Sequence, residues 1–268
     1  MTSLSDEEFE FFRAIVYRET GIKLTDLKRS LLQSRLMRRM RDLHLSSFSD
    51  YAEYVQSSYS EEIINFINAI TTNKTEFFRE EQHFEILLSS ILPEFDSKGK
   101  RSLRIWSAGC STGEEPYSIA MTLLRHYGNL GSRDVRILAT DIDTQVLQKG
   151  LAGIYKSDQV ADMDPSLIRN YFLPNRDGSF RIIEEAQKII TFKRLNLLDA
   201  EYPMKKKFNC IFCRNVIIYF DKPTQRALFE RFNAYLEDDG YLFVGHSENL
   251  SGLSDRFKLI GRTVYKKA

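Results

Sequence analysis

The chain contains few cysteines, carries almost no net charge and lacks any long apolar run. Three cysteines among 268 residues argue against a disulfide framework and agree with a reducing compartment. The 38 basic and 37 acidic residues leave a net charge of +1, which excludes an attraction of the whole protein to nucleic acid or to an anionic membrane. No apolar run reaches the roughly 18 residues of a membrane span. The N-terminus has neither the basic start nor the apolar stretch of a signal peptide. We therefore expect a cytoplasmic protein without membrane insertion.

The composition supplies enough apolar side chains for a sizeable core. Hydrophobic residues make up 43% of the chain and aromatic residues 12%, with 19 phenylalanines and 13 tyrosines. These values exclude a disordered or collagen-like polymer. The length allows one large domain or two smaller ones.

Residues 1–75 are expected to form an all-α N-terminal domain. Ser5–Glu8 has the spacing of a capping box, and apolar residues then recur at helical intervals as far as Gly21. A second helix is predicted over residues 25–43, and two shorter ones over residues 47–70.

Charge is segregated within this helical region. Residues 28–41 contain six basic residues and no acidic one, whereas residues 42–73 contain five acidic residues and no Lys or Arg. Four basic side chains fall on about a third of the second helix, beside its apolar stripe. We call them the basic ridge: Lys28, Arg35, Arg38 and Arg39. The ridge is either a solvated face or a docking surface for an acidic partner, and the lack of interleaved acidic residues favours docking.

The remainder of the chain predicts an α/β fold. Residues 76–102 are expected to form a connecting helix that Pro93 ends, followed by a polar linker. Over residues 103–268 strand and helix patterns alternate, which predicts a doubly wound parallel sheet, and a terminal hairpin adds one antiparallel edge. A hairpin signal at Asp177-Gly178 interrupts the alternation, so we expect a small inserted β-subdomain at about residues 155–190.

The loop after the first predicted strand contains Gly109 and Gly113, which allow tight turns and a close approach of the backbone. The next helix begins with Glu114 and Glu115, which would repel a pyrophosphate at that helix end. Such a start suits a cationic ligand rich in hydroxyl and amine donors. S-adenosylmethionine, with its sulfonium, ammonium and ribose hydroxyls, is a ligand of this kind.

Polar residues follow the next strands at positions that a ligand can reach. Asp141 stands at the tip of the second strand, where α/β sheets that bind nucleosides hold the ribose diol. Asp143 is better explained as a helix N-cap. The third clear strand leads to Arg214, Asn215 and Tyr219, and the carboxyl ends of parallel strands meet over one crevice.

Six segments resemble, in order and spacing, the motifs of the chemotaxis receptor methyltransferases, which methylate protein glutamates. The segments are Thr71–Arg79, Ser111–Ser118, Thr140–Asp143, Asn196–Leu198, Phe212–Asp221 and Gly245–Asn249. The resemblance spans nearly the whole chain, and it implies a Rossmann-like class I methyltransferase domain behind the helical one.

The resemblance also implies a set of site residues. The positions implied to hold S-adenosylmethionine, and its product S-adenosylhomocysteine, are Asn73, Thr75, Arg79, Glu115, Asp141, Asn196, Leu197, Arg214 and Asn215. Arg79 and Tyr219 are the candidate catalytic residues, and no metal is expected. Arg79 could hold either the acceptor carboxylate or the carboxylate of the cofactor, and the sequence leaves both open. A glutamate acceptor is already ionised near neutral pH, so no general base is required.

The implied partners are the cytoplasmic methylation helices of chemoreceptors, which carry acidic residues that the basic ridge can orient. Some members of the family are tethered to a pentapeptide at the receptor tail through a longer glycine-containing loop in the β-subdomain. Here Leu173–Ser179 is short and contains only Gly178, so we do not expect tethering. No exposed heptad pattern indicates assembly, and we expect a monomer that binds no nucleic acid.

Three other functions remain open. The chain could methylate another acceptor, such as a nucleic acid or a small molecule, although Asn215–Ile218 lacks the two prolines of the Asn-Pro-Pro-Tyr motif. It could be a non-catalytic sensor of the cofactor or its product. An NAD-dependent oxidoreductase is disfavoured because the G-x-G-x-x-G fingerprint is absent.

Overall fold

The computed structural model describes residues 3–128, 130–131 and 133–268. Its first part consists of four helices and a 3₁₀ turn at Asp26–Lys28: α1 Asp6–Thr20, α2 Arg29–Asp42, α3 Phe48–Ser57 and α4 Tyr59–Ile70. Ser5 and Glu8 form the predicted capping box at the start of α1. The apolar faces of these helices share one core, in which the Phe12 ring stacks on Tyr51 and Phe66 with centroids 5.6 and 6.0 Å apart.

A second helical stretch connects this bundle to the sheet. It consists of α5 Gln82–Ile86, a π-helical turn Leu87–Ile91 and α6 Leu92–Ser97. The prediction that Pro93 ends this helix is wrong. The π turn shifts the hydrogen-bond ladder, so the missing N–H of Pro93 falls in the first turn of α6, where no intrahelical partner is needed.

The rest of the chain forms a seven-stranded sheet and a small three-stranded sheet. The strands are β1 Ser102–Ala108, β2 Asp134–Asp141, β3 Ile154–Tyr155, β4 Phe172–Pro174, β5 Phe180–Ile182, β6 Ile190–Arg194, β7 Phe208–Cys213, β8 Leu236–Val244, β9 Phe257–Gly261 and β10 Val264–Lys267. The helices among them are α7 Glu114–Tyr127, α8 Thr144–Ala152, α9 Ser157–Val160, α10 Pro165–Tyr171, α11 Glu184–Lys188 and α12 Lys222–Tyr235.

The order of the large sheet is β6-β2-β1-β7-β8-β10-β9. Neighbours from β6 to β8 pair in parallel, and β10 is antiparallel to both β8 and β9. The predicted doubly wound sheet is thus confirmed, with its antiparallel strand one position inside the edge. The chain order reverses between β1 and β7, and such a switch point opens a crevice at the carboxyl ends of the strands.

Strand β6 was missed by the sequence analysis. It lies at the sheet edge with only Ile190 buried, so it lacks the apolar run that marks the central strands. The expected β-subdomain is present as β3-β5-β4, and Phe77 packs its ring against Tyr155 and Phe172 of that sheet. Among the described helices none has the length and apolar character needed to cross a bilayer.

The helical bundle sits directly against the sheet domain. Asn68 of α4 donates to the Thr144 hydroxyl at 2.9 Å, and the Thr71 hydroxyl donates to Asp143 at 2.7 Å. On the other side of the crevice, Asn196 donates to the carbonyl of Glu19 at 2.7 Å. These contacts place the basic helix α2 beside the carboxyl ends of the strands.

Candidate active site

One cleft lies over the carboxyl ends of β1, β2 and β7, between the sheet and the helical bundle. Every residue predicted to hold the cofactor lines this cleft: Asn73, Thr75, Arg79, Glu115, Asp141, Asn196, Leu197, Arg214 and Asn215. Tyr219 lines it as well, together with Lys28 and Arg35 of the basic ridge. Residues separated by more than 140 positions in the sequence therefore share one surface.

Asp141 is buried at the end of β2, and its carboxylate is oriented by backbone donors. The Ser111 N–H donates to Oδ2 at 2.8 Å, and the Asp143 N–H donates to Oδ1 at 3.0 Å. Burial raises the pKa of Asp141 to about 6, against the opposing effect of these two donors. Each oxygen keeps a lone pair for a further donor, so the carboxylate can accept hydrogen bonds from a diol.

Asp143 has a different, structural role. Its Oδ1 accepts the N–H groups of Gln145 and Val146 and caps α8, as the sequence predicted. Its Oδ2 accepts from Thr71 and from the Asn73 amide at 2.7 Å each. The side chain of Asn73 is therefore committed to this contact, and Asn73 lines the cleft while holding its wall in place.

The loop after β1 approaches the cleft through a residue without a side chain. The N–H groups of Gly109 and Cys110 both donate to the Thr140 carbonyl, at 2.8 and 2.9 Å, which folds the loop over the tip of β2. Gly109 has a φ of +85°, and a Cβ there would collide with Cγ2 of Val216. Only glycine allows the loops after β1 and β7 to come this close.

The floor of the cleft contains a buried guanidinium between two carboxylates. Arg214 lies 3.1 Å from Glu115 and 3.2 Å from Glu80, and it also donates to the Arg79 carbonyl. Burial raises the pKa of Glu115, partly offset by Arg214 and by the Ser107 hydroxyl, which donates to it at 2.6 Å. Burial also acts to raise the pKa of Glu80, but Arg214 and the Asn215 amide outweigh it and lower that pKa.

Glu114 does not belong to this floor. Its carboxylate is buried among Thr112 and Gln159, which donate to it at 2.7 and 3.2 Å. Of the two acidic residues at the start of α7, only Glu115 faces the cleft. With Glu80 and Glu115 set against Arg214, the floor carries one excess negative charge when both carboxylates are ionised, which suits a cationic ligand.

The two candidate catalytic side chains lie at the mouth. The Arg79 guanidinium donates to the Lys74 carbonyl at 2.9 Å and is partly exposed. Tyr219 ends a 3₁₀ turn, Ile217–Tyr219, and its carbonyl accepts the N–H of Lys23 at 3.0 Å. The Lys28 ammonium lies 5.8 Å from the centre of the Tyr219 ring. The helical bundle therefore contacts the loop that carries Tyr219.

Thr75, Asn196 and Leu197 border the cleft in different ways. Asn196 uses its amide to join α1, and its Oδ1 accepts the Leu198 N–H at 3.0 Å, which fixes the turn after β6. Leu197 is buried and presents its backbone and apolar surface. Thr75 is half-buried in the segment that connects α4 to the floor.

The four residues of the basic ridge differ in their surroundings. Arg35 donates to the Ile70 carbonyl and, at 2.8 Å, to the Thr72 hydroxyl, so it stands at the cleft together with the exposed Lys28. Arg38 is exposed. Arg39 instead binds the buried Glu62 through two hydrogen bonds, which neutralises its charge inside the bundle.

One group of side chains has the spacing of metal ligands. Among the described residues, Glu80, His83 and His246 bring their ligand atoms within 4.8 Å of one another. The Arg214 guanidinium already lies 3.2 Å from the same Glu80 oxygen, so a cation there would meet a like charge. Burial, with Arg214 nearby, lowers the pKa of His83 to about 4, and its Nε2 faces the Arg262 carbonyl at 2.6 Å. This arrangement supports an ion-pair network under the cleft, and we assign no metal to it.

Comparison with known proteins matches both halves of the chain to one family. The family model "CheR methyltransferase, all-alpha domain" matches residues 7–71, and "CheR methyltransferase, SAM binding domain" matches residues 73–266. The chain belongs to the CheR methyltransferase family. It is 43% identical to a chemotaxis protein methyltransferase of Escherichia coli over 98% of this chain and 91% of that one. It is 44% identical to chemotaxis protein methyltransferase 2 of Pseudomonas aeruginosa over 98% and 93%, and 40% identical to a relative in Borreliella burgdorferi over 99% and 95%.

Membership of the CheR family confirms the resemblance seen in the motifs, and it makes the protein an S-adenosylmethionine-dependent methyltransferase of chemotaxis. The residues of the cleft fit this cofactor. Asp141 is placed for hydroxyl groups, Gly109 lets the loop after β1 pack closely on Val216 at the wall of the cleft, and the floor contains the carboxylate of Glu115.

Sequence reasoning missed several residues around the cleft. Glu80 directly follows the quoted Thr71–Arg79 motif, and Glu248 lies within the quoted Gly245–Asn249 motif, yet neither was given a role. Lys23 and Lys74 also line the mouth. Their positions in or next to these motifs were a usable signal for Glu80, Glu248 and Lys74, whereas Lys23 lies in no motif.

Proposed function

We propose that this protein transfers a methyl group from S-adenosylmethionine to glutamate carboxylates of bacterial chemoreceptors and forms glutamyl methyl esters. The observation that carries the proposal is the charge of the cleft. Its floor contains the carboxylates of Asp141 and Glu115, with Glu80 paired to Arg214, while cations outnumber the exposed carboxylate of Glu76 at its mouth. The cations at the mouth are Lys23, Lys28, Arg35, Lys74 and Arg79. An acidic floor suits a cationic cofactor, and a basic mouth suits an anionic acceptor.

The cofactor, when bound, supplies an electrophilic methyl group on a positively charged sulphur. We assign its binding to the residues implied by the resemblance, with Asp141 for the ribose hydroxyls and the region of Glu115 for the cationic end. Arg214 keeps Glu115 and Glu80 in position, because its guanidinium is buried between them. Asn215 and Leu197 contribute walls of the cleft.

The acceptor needs positioning and dehydration instead of deprotonation. A glutamate side chain is ionised near neutral pH, so no residue of the protein has to remove a proton from it. The mouth presents Tyr219, Arg79 and further cations that can orient such an acceptor. Orientation of two reacting groups lowers a barrier by up to roughly 7 to 11 kcal/mol in well-ordered systems. Arg79 holds one carboxylate, either of the acceptor or of the cofactor, and Tyr219 borders the reacting centre.

We assign residues 1–75 to receptor docking, residues 76–102 to the connection, and residues 103–268 to catalysis. Lys28 and Arg35 line the mouth, and the exposed Arg38 follows Arg35 by three residues on α2, so together they can orient the acidic face of a methylation helix. Arg39 is removed from the proposed docking set because Glu62 neutralises it. The turn Asn175–Ser179 of the β-subdomain is short, which favours direct recognition of the methylation region over tethering to a receptor tail.

The test is methyl transfer from radiolabelled cofactor to purified receptor signalling fragments. We expect label in the receptor, released as methanol by alkali, since glutamyl methyl esters hydrolyse and N-methyl groups do not. A receptor fragment with its acceptor glutamates changed to alanine is the control. Label that resists alkali would indicate another acceptor chemistry. Cofactor binding without any transfer would support a sensor and contradict the proposal.

A further inference from the structure

Glu248 is a buried acid whose carboxylate, among the described residues, accepts hydrogen bonds only from backbone N–H groups. It lies in the loop after β8 and is 4% exposed. Within residues 3–128, 130–131 and 133–268, no Lys, Arg or His forms an ion pair with it. Its oxygens accept backbone N–H groups instead: Gly245 at 2.6 Å, Asn215 at 2.8 Å and Ile218 at 3.2 Å. A buried carboxylate is costly unless such donors satisfy it, so this position is built for it.

Two of these donors belong to the loop after β7 that carries Asn215 and Tyr219. Asn215 has a φ of +59°, a left-handed conformation that a surrounding structure has to maintain. The carbonyl groups of the same loop are held from the opposite side, because the buried Gln225 of α12 donates to Ile217 at 3.0 Å and to Phe220 at 2.9 Å. Glu248 therefore binds the N–H side of the loop and Gln225 binds its carbonyl side.

Gly245 shows how closely the two loops approach. A Cβ at this position would lie 2.5 Å from the Asn215 amide nitrogen and 2.9 Å from both the Asn215 backbone nitrogen and the Glu248 carboxylate. The neighbouring strands β7 and β8 are paired in parallel as far as Cys213 and Val244, and backbone pairing stops there. Beyond this point the Glu248 side chain replaces the ladder and fixes the loop.

We propose that Glu248, together with Gln225, is a positioning residue for methyl transfer: the two side chains hold the Asn215–Phe220 loop in the conformation that places Asn215 and Tyr219 at the cleft. Neither touches the reacting atoms. The kinetic part of the test rests on the proposed function, whereas the part that measures loop opening does not.

The test uses Glu248→Gln, which keeps the shape but turns an N–H donor toward the loop N–H groups. We expect kcat with receptor fragments to fall by about 100-fold, as for a misplacement of about 1 Å, while the Kd of S-adenosylhomocysteine changes by less than about fivefold. Amide hydrogen exchange should accelerate at Asn215 and Ile218 and stay unchanged in β1 and β7. Gln225→Glu places a carboxylate against the carbonyl groups of Ile217 and Phe220, and we expect the same changes in kcat and in hydrogen exchange. Glu230→Gln, an isosteric change at an exposed position of α12, is the control and should keep wild-type values.

Wild-type kcat and wild-type exchange at Asn215 in Glu248→Gln would overturn the inference. So would faster exchange throughout the sheet, because a general loss of stability would then explain a lower kcat. If Glu248→Gln does not fold, Gln225→Met is the second variant. It removes the two hydrogen bonds to the carbonyl groups of Ile217 and Phe220 without placing a second acceptor against them, and the same fall in kcat and faster exchange are expected. A wild-type protein that does not methylate receptor fragments would contradict the proposed function, and the exchange measurement would still decide the role of Glu248.

Discussion

The Arg39 guanidinium binds the Glu62 carboxylate through two hydrogen bonds of 2.8 and 2.5 Å. Glu62 is 1% exposed and also accepts the Tyr51 hydroxyl at 2.8 Å. This relationship joins α2 to α3 and α4 and pairs the charge of one of the four ridge residues with a buried carboxylate. The neighbouring Arg38 remains exposed, so adjacent arginines in the sequence have different roles.

We expect Arg39→Ala to lower the free energy of unfolding by roughly 3 kcal/mol, since the change leaves a buried carboxylate without its partner. The receptor KM of the folded variant should stay close to that of the wild type. Urea unfolding of Arg39→Ala, Glu62→Gln and the double variant measures the coupling. Additive losses would show that the two residues do not act as a pair.

Charge reversal at Lys28 or Arg38 should raise the receptor KM by roughly tenfold and weaken its dependence on salt, because both side chains are exposed in the basic ridge, Lys28 at the mouth and Arg38 further along α2. The Kd of S-adenosylhomocysteine should not change. Arg101→Glu, at an exposed position directly before β1 and therefore at the amino ends of the parallel strands, is the matched control. An unchanged KM in Lys28→Glu and Arg38→Glu would refute the docking assignment.

Binding of the cofactor product should weaken as the pH falls. Burial raises the pKa of Asp141 to about 6, so the carboxylate that we assign to the ribose hydroxyls is ionised above that pH and increasingly protonated below it. The stability contribution of this group has the opposite sign: the folded state binds the proton more tightly than the unfolded state, so this contribution to stability increases as the pH falls from above 6 toward 4.

Calorimetry with S-adenosylhomocysteine between about pH 5 and pH 8 measures this dependence. Asp141→Asn should weaken binding of the cofactor product by roughly 10- to 100-fold, which corresponds to the free energy of hydrogen bonds to a charged acceptor. It should also remove the part of the pH dependence that Asp141 causes. Equal pH profiles for the wild type and Asp141→Asn would assign the dependence to another group.

Gly109→Ala should weaken cofactor binding and lower stability for two separable reasons. The φ of +85° disfavours any residue with a Cβ, and the added Cβ collides with Val216. Val216→Ala in the same chain removes the collision but leaves the backbone strain. We therefore expect the double variant to recover part of the loss in thermal unfolding midpoint, and full recovery would mean that the left-handed conformation has no cost here.

Arg79→Ala and Tyr219→Ala should lower kcat by at least tenfold, because both side chains line the mouth where we propose that the acceptor is oriented. Tyr219→Phe separates the hydroxyl from the ring, and retention of activity would assign the role to the ring. For Arg79, a higher Kd of the cofactor product indicates contact with the cofactor, whereas a higher receptor KM indicates contact with the acceptor. Wild-type turnover in all three variants would remove both residues from the mechanism.

Much of the architecture followed from local patterns. All four N-terminal helices carry apolar stripes, and the side chains of Ser5 and Ser47 cap α1 and α3. The central strands β1, β2 and β7 are buried along most of their length because both faces of the sheet are covered. The edge strand β6 was not predicted, because an exposed strand lacks a run of apolar residues. The continuation of the helix past Pro93 was not predicted. A π turn places the missing N–H of Pro93 where no hydrogen bond is needed, and nothing in the residue types predicts that turn.

The sequence by itself determined the family, the alternation of strands and helices, and the residues whose motifs lie at strand ends, since parallel strands bring their carboxyl ends to one edge. Only the tertiary structure decided which charges are free. Arg38 and Arg39 are adjacent residues of the same type, as are Glu114 and Glu115, so the sequence does not distinguish the members of either pair. Whether each faces solvent, the cleft or a buried partner depends on contacts with distant segments, which a local pattern does not encode.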